Sequence, residues 1–371
     1  MDAIKTFEVI RQGEIGGGES HVLDLIAGFN KEEIEPVVLA FTDGHMISTL
    51  RKQGIKCYVI QTQQAFDLKV QKQIKRIIEN ENIQLIHAHG SRAASNMLWN
   101  AIRMKIPMIY TVHGWSFHQD QNPVTFRLRA WSEKLICHFC NRVICVSENN
   151  LQSGKKTFGL TKGEVINNGV NLKRFNADNL YESFRKEIGI DKDNYVIGFI
   201  GRITLQKSPF DFIDSIEMAY QRDKAVRGLL IGEGDLKKEA TAYIQERKLE
   251  NIIYTSDFRT DVPNILKAID VFCLPSLWEG LSIALLEAMS MKKAIVVTPT
   301  DGTREVIEDK VNGLIVDFKQ PEKLAEAYLT YKNNKDLKQT CENNALKLVK
   351  EKFNSQRVSD AVLQIYKEVL A

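Results

Sequence analysis

Short apolar runs rich in β-branched residues recur along the chain, each followed by a stretch of helical periodicity, and this alternation constrains the fold more than any other feature. In the first half the runs are FEVI, PVVLAF, CYVIQT, IQLIHAHG, PMIYTVHG and RVICVSE. After the first of them Val22, Leu25, Ile26 and Phe29 fall at i, i+3, i+4 and i+7, the spacing of one helix face. Strands alternating with helices predict a parallel sheet covered on both faces, with ligands beyond the carboxyl ends of its strands. A Gly- and Asn-rich turn, EVINNGVNLKRF at 164–175, interrupts the pattern, and a polar helical stretch follows to about Lys192. The alternation then restarts with YVIGFIGRI, RGLLIGEGD, NIIYTSDF, DVFCLPS, AIVVTPT and NGLIVD. The fold class is therefore α/β, two Rossmann-like halves hinged near 168–190 whose loop-rich edges make one cleft. The expected domains are 1–175 and 176–352, with a terminal helix at 353–371 that crosses back to the first domain and sets Val358, Val362, Ile365 and Leu370 on one side.

A chain of 371 residues suits two such domains. Residues 1–177 carry 22 Lys and Arg against 16 Asp and Glu, and the remainder 28 against 31. The basic excess lies in the first half, where it suits an anionic membrane surface or a phosphorylated acceptor and is too diffuse for nucleic acid. Six cysteines form no disulfide framework, and CHFC at 137–140 lacks the second ligand pair of a zinc site. A reducing, cytoplasmic setting is expected. MDAIKTFEVI lacks the features of a signal peptide and no run has the length of a membrane span, so any membrane contact is expected to be peripheral.

Several strand ends suit an anionic ligand. GGGE at 16–19, which includes Gly17 and Gly18, lets backbone approach a ligand and leads into a helix with unpaired amides and a positive dipole end, although a plain β-to-α turn would use the same glycines. In GFIGRITLQKSP, Arg202 and Lys207 follow a strand, where two cations can hold a diphosphate and stabilise it as it leaves, or form a solvated basic loop. Gly232, in IGEGD, lines a nucleotide pocket or only turns the chain. In LPSLWEGLSIALLEAM, Pro275 and Gly280 bracket a loop and a helix is predicted from about Ser282, making the amides of Leu281, Ser282 and Ile283 anion donors. Glu287 then sits about 7 Å along the helix at ~1.5 Å per residue. Its neighbours Ile283, Leu286 and Met289 are apolar, so it needs either ribose hydroxyls or a core partner. Glu279 and Glu287 lie too far apart for a hydrolytic carboxylate pair, which spans about 5–9.5 Å. His87 and His89 in IHAHG and His113 in TVHG end strands. Such histidines are commonly structural, but His113, followed by Gly114 and Trp115, is expected to face the glycine loop.

Together GGGESHVLDL, IHAHG, TVHG, VICVSE, INNGV with Phe175, GRITLQK, IGEGD, DVFCLPSLWEGLSIALLEAM, DGTREVI and NGLIV resemble glycosyltransferase family 4, retaining sugar-nucleotide enzymes of GT-B fold. The resemblance covers nearly the whole chain, and its most specific element is the E-x7-E of Glu279 and Glu287. It implies that Glu287 binds the nucleotide ribose, that Glu279 lies beside the transferred sugar, and that Arg202 and Lys207 hold the diphosphate with the amides after Glu279 and with Gly17 and Gly18. It further implies that His113 contacts the donor sugar and that Phe258 and Arg259 lie near the base. The implied reaction retains anomeric configuration by front-face attack, uses a nucleoside-diphosphate sugar, UDP-linked before GDP-linked, and needs no cofactor or metal. The implied acceptor is a glycan or lipid-linked hydroxyl of bacterial surface polysaccharide or glycolipid synthesis. SPF after Lys207, MSMKKAIVV, and DGTRE in place of a Gly-Gly turn depart from the family pattern, and the last puts the donor loop at 301–305 in question.

The segment FRLRAWSEKLICHFCNR, at 126–142, alternates basic, aromatic and apolar residues, as in a helix that touches a membrane or packs beneath its domain. Two other readings share these features: a GT-B epimerase or phosphorylase, and a non-catalytic sugar-nucleotide-binding subunit. An epimerase needs no acceptor, and a phosphorylase uses or releases inorganic phosphate. A scaffold has no need of Arg202, Lys207, Glu279, Glu287 and His113 together.

Overall fold

In the computed structural model, which describes residues 3–14, 16–118 and 121–371, the chain divides into two compact units. One is Met1–Gly169 with Ser355–Ala371, the other Val170–Asn354. Residues 170–175, expected with the first half, belong to the second unit.

The first unit has seven strands: β1 (Ile4–Ile10), β2 (Ile34–Ala40), β3 (Lys56–Val59), β4 (Leu85–His89), β5 (Met108–Val112), β6 (Arg142–Cys145) and β7 (Gly163–Val165). They pair in the order β3-β2-β1-β4-β5-β6-β7, all parallel. The order reverses between β1 and β4, so the loops after these strands diverge and leave a crevice at their carboxyl ends. Phe7, Val9, Ile86, Ala88, Tyr110 and Val112 fill one face of the sheet. Leu85 and Ile109 fill the other beneath the Gly17–Gly28 helix, through Leu25, and the C-terminal Ser355–Leu370 helix, through Val358, Val362, Ile365 and Tyr366. Those two helices meet at Gly28, where a Cβ would stand 2.2 Å from Ser359 Oγ. Leu370, expected on the buried side, is exposed, and Tyr366 takes the inward position.

The second unit has six: β8 (Tyr195–Ile200), β9 (Val226–Ile231), β10 (Ile253–Ser256), β11 (Val271–Leu274), β12 (Ala294–Val297) and β13 (Leu314–Ile315). Their order, β10-β9-β8-β11-β12-β13, is again parallel throughout and reverses between β8 and β11. The stretch before β8 departs from expectation, because its only helix is the single turn Phe184–Glu187. Asn171 and Asn176 explain this: their side-chain oxygens accept from the backbone amides of Lys173 and Asp178, two residues on, and so compete with helix formation.

The six cysteines are free thiols, five of them buried. Burial pushes Cys137 and Cys140 far above the usual thiol range, so the CHFC pair is inert packing. Among the described residues no helix is long and apolar enough to cross a membrane.

Candidate functional site

The second unit gathers its charged residues at the reversal point. After β8 the chain passes Gly201 and the exposed Arg202, makes a 3-10 turn at Leu205–Lys207, and enters the Pro209–Arg222 helix through Ser208, whose φ is 48°. This buries Lys207, whose ammonium hydrogen-bonds the carboxylate of Glu279 in the loop after β11. Ser276 Oγ donates to Glu279 Oε2 at 3.3 Å. A lysine taken this far from water needs such a counter-charge. Gln206, which the sequence reading passed over, ties the two loops together. Its carbonyl accepts from Leu277 N at 2.8 Å, its Nε2 donates to the Trp278 carbonyl at 2.9 Å, and its Oε1 accepts from an Arg202 terminal nitrogen at 3.4 Å. Its amide amid the cations was the only signal in the sequence.

Beyond Glu279, Gly280 and Leu281 lead to Ser282, the N-cap of the Ile283–Ser290 helix, whose side chain makes no capping hydrogen bond. Ser282 and Ile283 stand at the amino end of the helix, the dipole end that favours an anion. Ile283, Leu286 and Met289 are buried, whereas Glu287 and Ala284, one turn apart, share a half-buried side. Gly302 N donates to the Glu279 carbonyl at 3.1 Å, and a Cβ on Gly302 would stand 1.9 Å from the Gly280 carbonyl oxygen. The 301–305 loop thus keeps the one glycine its close approach requires, while Asp301, which stands in place of the family's other glycine, is exposed.

Gly232, φ 146°, has no room for a Cβ, which would fall 1.9 Å from the Gly201 carbonyl oxygen. Its role in the structure is to seat the IGEGD turn on the Arg202 loop, where Ile203 N donates to the Glu233 carbonyl at 2.7 Å. Phe258 is partly exposed after β10. Arg259 is engaged elsewhere: its guanidinium bonds both Asp261 oxygens and both Glu187 oxygens at 2.8–3.3 Å and stacks 4.7 Å from the Phe184 ring centroid. Its donors are committed to the protein, so it braces the turn before β8.

The first unit has a polar cluster of its own, and strand register explains it. Glu8 pairs with His87, His87 with Ile109 and His89 with Thr111. Side chains alternate along strands, so Glu8, His87, His89, Thr111 and, two residues on, His113 lie on one sheet face. The His21 ring joins them from the Gly17–Gly28 helix and Tyr366 from the C-terminal helix. The Tyr366 hydroxyl donates to Glu8 Oε1 at 2.9 Å and stands 2.5 Å from His87 Nδ1, while Thr111 Oγ1 lies 2.7 Å from His87 Nε2. His89 Nε2 contacts Glu8 Oε2 at 3.1 Å. Burial alone would raise the pKa of Glu8, but hydrogen bonds from His87 and His89 outweigh it and hold the carboxyl far below the usual range. Burial, with the neighbouring rings, lowers His89 to about 4 and His113 to about 3, and drives His21 well below its ordinary value. These three rings are neutral at pH 7.

Gly17 and Gly18 open the helix that carries His21. Gly18 lies against His113, at 3.6 Å from a built Cβ to the ring, whereas a Cβ on Gly17 meets open space. Sequence reading had linked the glycine loop with His113. It had missed Glu8, a charge inside the apolar run FEVI, as well as His21 and Tyr366.

The family described as "Glycosyl transferases group 1" matches residues 181–348, and "Glycosyltransferase Family 4" matches residues 15–174. Among similar proteins, an Escherichia coli "UDP-Gal:alpha-D-GlcNAc-diphosphoundecaprenol alpha-1,3-galactosyltransferase" is 26% identical over 81% of this chain and 79% of its own. A Campylobacter jejuni "N,N'-diacetylbacillosaminyl-diphospho-undecaprenol alpha-1,3-N-acetylgalactosaminyltransferase" is 26% identical over 92% and 93%. The solved structure of Anabaena Alr3699/HepE in complex with UDP-glucose superimposes with a TM-score of 0.86 at 21% identity, covering 98% of this chain and all of that one, which speaks for the fold. With both halves matched in order and the two reversed parallel sheets in place, the chain belongs to the group 1 and family 4 glycosyltransferases of GT-B fold.

Proposed function

We propose that the protein transfers a sugar from a nucleoside-diphosphate sugar, UDP-linked, to a hydroxyl of a lipid-linked glycan with retention of anomeric configuration. The observation that carries this reading is the buried Lys207–Glu279 pair, with Arg202 and the amino end of the Ile283–Ser290 helix in the same two loops, at the reversal point of the second sheet. Two cations and a helix amino end in the loops at one sheet edge suit a diphosphate, and they stabilise it most as it gains charge. In the transfer the bond from the sugar C1 to the diphosphate oxygen breaks, the acceptor oxygen bonds to C1 on the same face, and the acceptor proton passes to the departing phosphate. Arg202 and Lys207 stabilise that leaving group, Glu279 holds Lys207 beside the sugar, and Glu287 accepts from the ribose hydroxyls. Gly17, Gly18 and His113 are the contacts assigned to the first unit. No metal takes part in this chemistry. UDP as the nucleotide and an undecaprenyl diphosphate-linked acceptor follow the names of the relatives.

The acceptor reading is supported by the Pro123–Phe139 helix, which packs Ala130, Ile136 and Cys137 inwards and leaves a second set of apolar residues outside. Leu128 and Trp131 are 63% and 64% exposed, Val124 and Phe139 are exposed with them, and Glu133 is buried, bonded to Ser91 and Tyr110. Arg127, Arg129 and Lys134 are exposed on the same helix. Apolar side chains ringed by cations suit the interface of an anionic membrane, met from its cytoplasmic side.

The test offers the purified chain UDP-, GDP- and ADP-sugars with an undecaprenyl diphosphate-linked acceptor, in EDTA, and measures nucleotide release and product anomer. Release from a UDP-sugar that depends on acceptor and retains configuration is expected. Inversion, loss of turnover in EDTA, or conversion of the donor without acceptor would refute the reading, the last in favour of an epimerase.

A further inference from the structure

His21, His89 and His113 converge from three segments of the first unit. One ring nitrogen of each lies within 4.8 Å of the other two, and the ring centroids are 4.9–5.7 Å apart. His21 and His89 are 5% and 1% exposed, and His113 is half-buried. His21 Nε2, His89 Nδ1 and His113 Nε2 are buried without a hydrogen-bond partner among the described residues. Three such nitrogens in one place are costly to the fold, since a buried polar atom without a partner forfeits about 1–3 kcal/mol. An arrangement serving only the sheet would point them at carbonyls or at one another.

The outer contacts are those of a metal-ligating histidine. A ligating imidazole presents one nitrogen to the ion and gives the other to a carboxylate or carbonyl, which fixes ring and tautomer. His89 does this: its Nε2 faces the buried, ionised Glu8 at 3.1 Å, and a proton held there leaves a lone pair on Nδ1, which is buried without a hydrogen-bond partner among the described residues. Glu8 in turn is fixed by Tyr366 and offers a negative charge one residue away from any ion bound by the three rings.

From this geometry we infer a site for one divalent transition ion, with His21, His89 and His113 as its three protein ligands and Glu8 as the anchor behind His89. Three imidazoles select a borderline ion such as Zn2+, Co2+ or Ni2+ over Mg2+ or Ca2+, which prefer oxygen. Bonds of about 2.0–2.1 Å set ligating nitrogens about 3.3 Å apart in a tetrahedral site, so binding draws the rings inwards by side-chain rotation. Three protein ligands leave a fourth position for water. The metal site stands apart from the sugar-transfer reading but shares His113 with it. Its functional consequence rests on that reading: an ion on His113 Nε2 removes this ring from the donor sugar, and transfer slows.

The full chain, stripped of metal, is titrated with Zn2+, and with Co2+ as a spectroscopic probe. One ion per chain is expected, with visible Co2+ absorption of four- or five-coordinate strength and three paramagnetically shifted imidazole resonances, a readout that needs no variant. His21→Ala and His89→Ala, checked for folding by circular dichroism, should each weaken Zn2+ at least 100-fold, and Glu8→Gln about 10- to 100-fold. His45→Ala, at an exposed histidine, should change nothing. Absence of stoichiometric binding, or binding retained when His21 is replaced in a folded protein, overturns the site. Binding with undiminished transfer leaves the site standing and overturns only the contact of His113 with the donor.

Discussion

Lys207, 72 residues before Glu279 in the chain, has its ammonium hydrogen-bonded to that carboxylate at the reversal point of the second sheet. The pair is nearly buried, so the cation is set in place before any ligand arrives and pays little to reorganise during transfer. Lys207→Ala should lower kcat by about 10²- to 10³-fold, the usual cost of removing one preorganised charge donor. Glu279→Gln keeps the side-chain shape and should lower kcat with a smaller change in KM. Steady-state kinetics on the UDP-sugar that turns over checks both.

Glu287 is half-buried on the side of its helix away from Leu286 and Met289. Removing a charge-assisted hydrogen bond costs about 1.5–3 kcal/mol. Calorimetric titration with UDP should therefore show Glu287→Ala binding about 10- to 100-fold more weakly in a protein that circular dichroism shows to be folded. An unaltered UDP affinity would contradict its assignment to the ribose.

Two glycines should part company on substitution. Gly302→Ala drives a Cβ against the Gly280 carbonyl and should lower both the melting temperature and the affinity for UDP. Gly17→Ala adds its methyl to open space, so thermal melting should be unaltered and any lost activity reports on the ligand.

Acid should destabilise the first unit through its histidines and Glu8. The folded-state pKa values of His89, about 4, and His113, about 3, lie below the unfolded value near 6.5. The unfolded chain therefore binds more protons in that window. Stability is full above pH 6.5 and falls towards pH 4 by about 1.4 kcal/mol per pH unit for each ring. Glu8, also depressed, keeps its contribution above its unfolded pKa and loses it only at lower pH. Denaturant midpoints measured from pH 7.5 to 4 should show the slope, and His113→Asn should flatten it. Tyr366→Phe should cost about 1–3 kcal/mol at every pH in this range, because Glu8 loses its donor.

Leu128 and Trp131 project from the Pro123–Phe139 helix into solvent. The double change Leu128→Glu and Trp131→Glu should abolish co-sedimentation with phosphatidylglycerol vesicles and leave UDP binding intact. Full vesicle binding by this variant would place the membrane contact elsewhere.

What the sequence alone determined is local in origin. Alternating apolar runs specified parallel strands, because each run had to be buried on both faces. Glycines and charges following those runs marked the strand ends at Gly17, Arg202, Gly232 and Glu279. The helix start near Ser282 was equally legible, since a glycine loop precedes an apolar helical repeat. Other features depend on partners far along the chain. Glu8 reads as a stray charge in the run FEVI until strand register sets it opposite His87 and the C-terminal helix brings Tyr366 to it, a separation of 358 residues. Gln206 looked like filler until it joined the loop after β11. Arg259 looked available until Glu187 and Asp261 closed on it. The polar stretch before β8 looked helical because periodicity says nothing of an asparagine that caps its own backbone. Periodicity along one chain encodes which way a side chain faces, while register between strands and packing between helices decide what it meets.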